Sequence, residues 1–203
     1  VDLDKPNKLT NMPHTYNISD EILAVIAEQL GTHISQLVSP DLLDRGSVEI
    51  MESFPIWTLG LDSVGAAFES GVDIQELASP TGRWHHQIRL GDSVTAFARS
   101  MPLGPSPNDW SVREVFASPI AAKIDNAIEW VDKISNYDPL VRLLIVPAYN
   151  THAFWLTDND YHSTIIIIDS PYSNYDNNQY HAMSSKEFIE YLFNREHIIG
   201  IRH

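Results

Sequence analysis

The chain has 203 residues, 43% of them apolar, which is enough for one hydrophobic core in a single domain. Asp and Glu number 27 against 13 Lys and Arg, a formal charge of −14 with no basic cluster, so the field repels phosphate backbones and anionic lipid. Nucleic-acid and membrane partners are therefore not expected, and the absence of cysteine excludes disulfides, thiolate metal sites and a thiol nucleophile.

The chain opens Val1-Asp2-Leu3-Asp4 without methionine, which fits removal of an earlier segment. A cysteine-free composition suits a reducing cytoplasm and an exported protein alike, so the compartment is left open, as is the oligomeric state. The longest apolar runs, 143–148 and 165–168, are far too short to cross a bilayer and fit buried strands.

Residues 1–18, with Pro6 and Pro13, lack periodicity and read as an N-terminal arm; residues 19–203 read as one domain. Ser19 is a good N-cap, and Ile22, Val25, Ile26 and Leu30 form one helical stripe that Gly31 is expected to end. A second short helix is expected over 34–38. Strand-like runs follow at 48–57, 84–90 and 93–99, the last two joined through Gly91-Asp92 as a tight hairpin. Pro102, Gly104, Pro105 and Pro107 predict a rigid loop.

Ser118-Pro119 then gives an N-cap and a first-turn proline to the clearest helix, whose buried face is Ile120, Ile124, Ala127, Ile128, Val131 and Ile134. Asp125, Glu129, Asp132 and Lys133 make its wet side. Strands are expected at 141–149, 152–157 and 163–168, with a polar turn at Asp158-Asn159-Asp160 between the last two. Ser184 and Glu187 form a capping box, and Met183 and Phe188 a hydrophobic staple, at the start of a final helix. The fold class is α+β: an antiparallel β-sheet core with flanking helices.

Pairing through that polar turn brings His152 at one strand start to Asp169 at the neighbouring strand end. A carboxylate beside an imidazole fixes its tautomer and stabilises the imidazolium, as in the base and orienter of a nucleophilic triad. A strand-end histidine beside a turn-capping aspartate is the plainer alternative. Among the nine histidines, adjacent His85 and His86 point to opposite faces of a strand, and no His-x-His or His-x-x-x-His spacing forms a chelate, so no metal and no cofactor is assigned. The acids and tyrosine at Asp158, Asp160, Tyr175 and Asp176 lack the glycine-punctuated ladder of a calcium loop. Core packing is the default for the strand aromatics, while Trp84, flanked by Arg83, His85, His86 and Gln87, is the group best suited to a pocket or interface.

The run 143–147, then His152-Ala153-Phe154-Trp155-Leu156, then Ile167-Ile168-Asp169-Ser170-Pro171, then Ser184-Ser185-Lys186-Glu187-Phe188, resembles the C-terminal half of papain-like cysteine peptidases, in particular the bacteriocin-processing branch. The resemblance covers about residues 120–193. It implies a papain-like arrangement, His152 as base, Asp169 as orienter, and peptide or amide recognition; Trp84, His86 and Trp155 are the candidate substrate-binding residues. The family's nucleophile is a cysteine at a helix start; Asp62-Ser63-Val64-Gly65-Ala66-Ala67 is the best positional match, so Ser63 stands where the thiol belongs. No glutamine lies shortly before Ser63 to build an oxyanion hole. Ser63 is then a replaced thiol, a mark of lost catalysis, or simply a turn or helix-cap serine.

Two functions follow as expectations. One is a papain-like protein with a degenerate or inactivated peptidase site. The other is a non-catalytic acidic protein that binds a basic protein partner, its association steered by the −14 charge. A small-molecule pocket lined by the tryptophans is a third and weaker idea.

Overall fold

Eight strands form one mixed, mostly antiparallel sheet built from two antiparallel meanders laid side by side. The computed structural model describes residues 18–34, 48–90, 94–134, 139–158, 162–171 and 180–200. In chain order the elements are α1 (Asp20–Ile34), β1 (Val48–Thr58), α2 (Leu61–Ser70), α3 (Ile74–Leu77), β2 (Ser79–Leu90), β3 (Val94–Pro102) and β4 (Trp110–Phe116). There follow α4 (Pro119–Ile134), β5 (Leu140–Val146), β6 (Thr151–Thr157), β7 (Ser163–Asp169), β8 (Ala182–Ser184) and α5 (Ser185–Gly200). The strand order is β4-β3-β2-β1-β5-β6-β7-β8. Neighbours pair antiparallel except at the centre, where β1 and β5 run parallel from Ile56 beside Leu143 to Thr58 beside Ile145.

Strand alternation divides the core into two faces. Phe54, Ile56, Leu143, Phe154, Leu156, Ile166 and Ile168 point to one side, where Ile124, Ala127 and Val131 of α4 cover them. Leu144, Val146, Ala153, Trp155, Ile165 and Ile167 point to the other, under Val64 and Ala67 of α2 and Phe188 and Leu192 of α5. On that second face, at the β1–β4 end, Ile26, Leu30 and Ile34 of α1 pack on Ile88, Ala96, Ala98 and Val112. Each such large side chain removed from water contributes roughly 1.5–3 kcal/mol. Among the described residues no helix is long and apolar enough to cross a membrane.

Several sequence expectations need correction. Gly31 does not end α1: the helix runs on to Ile34, which is 1% exposed and continues the i, i+4 stripe of Ile26 and Leu30. Burial of Ile34 outweighs the cost of about 1 kcal/mol for a helical glycine. The proline-rich segment holds more structure than a loop. Ser106 and Asp109 form a reciprocal capping box on a 3₁₀ turn at Pro107–Asp109, and that turn delivers the unanticipated strand β4. The strand expected over 141–149 stops at Val146, because Pro147 cannot donate to the ladder and opens a 3₁₀ turn closed by Asn150 at φ 46°. Ile134, assigned to the buried face of α4, is 44% exposed at the last turn.

The start of α5 matches its expectation in detail: Glu187 accepts from the backbone and hydroxyl of Ser184, and its own N–H donates to Ser184 Oγ. The N-terminal arm over 1–17, the segment 35–38, Gly91-Asp92, Asn159-Asp160 and Tyr175-Asp176 lie outside the described residues.

Candidate functional site

The site begins with the register of β6 and β7. His152 is the strand partner of Asp169, with an irregularity between His152 and Ala153 that turns the end of β7. On the other side of β6, His152 stands opposite Ile145, which in turn neighbours Thr58 at the end of β1. The expected meeting of the two strand ends is therefore present.

Among the described residues the two side chains make no hydrogen bond or ion pair with each other. Asp169 takes the ammonium of Lys123, projecting from α4, as an ion-pair partner. His152 shares its strand face with Phe154 and Leu156, toward α4. Burial holds the His152 imidazole below the usual histidine range; Asp169 works against that shift, and Arg99 and Lys123 reinforce it. His152 is thus neutral near pH 7, and its Nδ1 is buried without a hydrogen-bond partner among the described residues.

Ser63 comes from a separate element. It sits in the first turn of α2, which starts from the same end of the sheet, but Val64 and Ala67 fix that helix on the face opposite α4. The body of α2 thus packs on the face opposite the one His152 shares with Phe154 and Leu156. Among the described residues no hydrogen bond joins Ser63 to His152 or Asp169. The helix itself escaped sequence reading because its N-cap, Gly60, has no side-chain cap, and because Leu61 and Phe68 face outward, 47% and 41% exposed, blurring the apolar stripe.

The residues expected to line a substrate site are mostly interior. Trp155 is 2% exposed, edge-on to Trp57 at 5.4 Å, with Arg142 over its ring at 4.4 Å and Nε1 donating to Ser163 Oγ. His86 is fully buried between two hydroxyls, Nδ1 2.8 Å from Ser53 Oγ and Nε2 2.7 Å from Ser100 Oγ. Only Trp84 is partly open, packed edge-on against Trp110 at 6.3 Å.

His85 and Gln87, expected with Trp84 at a pocket or interface, instead form a second buried polar group, at most 1% exposed. Gln87 Nε2 donates to the Ala121 carbonyl at 2.6 Å and to Asp125 Oδ1 at 2.7 Å, so Gln87 Oε1 is left to accept from His85 Nε2 at 3.0 Å. This fixes His85 as the Nε2–H tautomer. Burial pushes His85 down to about 3, with further lowering by His86, Arg99 and His152, and burial pushes His86 down to about 4. Both are neutral structural groups at neutral pH. Among the described residues no group of three or more His, Asp or Glu is arranged to hold a metal ion. Compared with protein-family models, curated proteins and solved structures, the chain matches none.

Proposed function

We propose that the protein is a non-catalytic acidic binding protein whose partner is a basic protein. The observation that carries this reading is the distribution of charge. Arg83, Arg89, Arg99, Lys123, Lys133 and Lys186 already face carboxylates within the chain. Glu52, Asp62, Glu69, Asp73, Glu76 and Asp132 remain exposed, and the whole chain carries −14. Such a surface accelerates encounter with a cationic partner and repels an anionic one.

The test is to capture partners, purify the captured protein and measure its affinity between about 50 and about 500 mM salt. A partner of opposite charge, with affinity falling about tenfold or more over that range, is the expected result. Affinity indifferent to salt, or a partner without excess positive charge, would overturn the reading.

A degenerate papain-like hydrolase is the second reading, favoured by the register pairing of His152 with Asp169 at the sheet end from which α2 starts. Its test is Ser63→Cys treated with iodoacetamide. A thiol activated by His152 would react about tenfold or more faster than a free thiol at neutral pH, because the thiolate is the nucleophile. An ordinary rate removes this reading.

A further inference from the structure

We propose that the groove between β1 and α4 seats a single arginine or lysine side chain of the basic protein partner; this inference rests on the acidic-partner reading. The cavity measures about 180 Å³, below the roughly 300 Å³ from which drug-sized ligands are usually accommodated. It suits one side chain. Met51, Ile88 and Ile128 supply apolar wall, Glu52, Asp125 and Glu129 supply the acids, and Arg89 is the one cation among them. That pairing fits a long cationic residue, whose methylene stem lies on apolar surface while its charged head reaches carboxylate.

The backbone supports the same assignment. β1 pairs Ile50 with Ile88 and Glu52 with Gln87, so Met51 is an extra residue bulged out of the ladder. Bulges re-aim side chains and are enriched next to functional sites. Here the bulge leaves Met51 38% exposed at the groove, where a flexible thioether adapts to whatever packs on it.

The charges are unequally satisfied. Asp125 is held by Gln87, Glu129 lies 3.7 Å from Lys133, and Arg89 lies 3.9 Å from Glu49. Glu52 and Asp132 have no ion-pair partner among the described residues. Withdrawal from water and the nearby charge of Asp132 hold the Glu52 carboxyl above its ordinary range. A guanidinium or ammonium seated beside Glu52, within the field of Asp132, relieves both penalties.

Amidated hexa-arginine serves as the probe, titrated into the full chain at low salt by calorimetry and by amide NMR. Expected shifts concentrate at Met51, Glu52, Arg89, Ile128 and Glu129, and the double variant Glu52→Gln/Asp132→Asn loses about tenfold in affinity. The charge-matched control Asp62→Asn/Glu69→Gln, on α2, loses less than about twofold. Equal losses in both variants would overturn the groove while leaving the acidic-partner reading intact. No binding of hexa-arginine would also overturn the groove, and the salt series on the captured partner then judges the broader reading alone. All four substituted positions are exposed, and thermal melts of both variants confirm that they fold.

Discussion

The two meanders hold their strands together with different chemistry. In β5 to β8 the interior is filled by Leu143, Leu144, Ala153, Phe154, Leu156 and the Ile165 to Ile168 run, all buried. In β1 to β4 three consecutive residues of β2, namely His85, His86 and Gln87, are at most 1% exposed and polar. Aliphatic volume dominates the first half, where Arg142 donating to Thr157 is a buried exception, and matched donors and acceptors distinguish the second. Volume tolerates swaps that conserve it, whereas a donor left without an acceptor costs about 1–3 kcal/mol. The comparison teaches that one sheet carries two kinds of fragility.

Acid bears hardest on the β1–β4 half, although the His152 imidazole of β6 is lowered as well. His85 and His86 hold folded-state values near 3 and near 4, below the ordinary 6.5. Between those values and 6.5 the unfolded chain binds more protons than the folded one, so stability falls as pH drops below 6.5, by about 1.4 kcal/mol per pH unit for each histidine. Denaturant midpoints from pH 7 to 4 read this slope. Replacing the whole triad by Ser53→Ala, His86→Leu and Ser100→Ala should leave stability at pH 7 nearly unchanged and remove one histidine's share of the slope. An unaltered slope would show that His86 is not the group responsible.

Phe154→Ala attacks the other half, deleting a 1% exposed ring that lies 5.1 Å from Phe54. Loss of about 3–5 kcal/mol by urea titration is expected, and it should not vary between pH 7 and 5 beyond the wild-type change. Gln87→Leu comes next. It strands His85 Nε2 and frees the Ala121 carbonyl and Asp125, for a loss of about 1–3 kcal/mol that grows no larger with salt. Lys123→Gln is the mildest, because the partners of the Lys123–Asp169 pair are 50% and 30% exposed and such pairs contribute about 0–1 kcal/mol. Its diagnostic effect is on titration: removing the cation raises the His152 value in a histidine NMR titration, while Asp169→Asn lowers it.

Legibility in the sequence followed the same division. The aliphatic strands, the Pro119 helix and the Ser184 box were readable because periodicity and caps are local signals. The register of His152 with Asp169 also followed, since two strands joined by a short turn leave little freedom. The polar half was not readable: nothing local in Trp84-His85-His86-Gln87 says that Ser53, Ser100 and Ala121 will complete its hydrogen bonds. Which sheet face receives α2 was equally hidden, because its packing residues Val64 and Ala67 carry no local sign of it. The groove at Met51 depends on a bulge, a deviation that alternation alone does not announce.

The parallel seam between β1 and β5 has a kinetic consequence. Every other strand pairs with its neighbour in the chain, whereas the seam brings Ile56 beside Leu143 across the whole span of α2 to α4. Loop closure on that scale is the slow kind of contact. Two hairpin ribbons can therefore form early and apart, with their docking as the committing step. α4 is the clasp, since Ile124, Ala127 and Val131 sit in one cluster with Phe54 of the first ribbon and Leu143 and Ile168 of the second. Trimming Ile124 to valine should accordingly slow folding more than it speeds unfolding in stopped-flow measurements, marking the helix as the part of this protein that decides when two halves become one sheet.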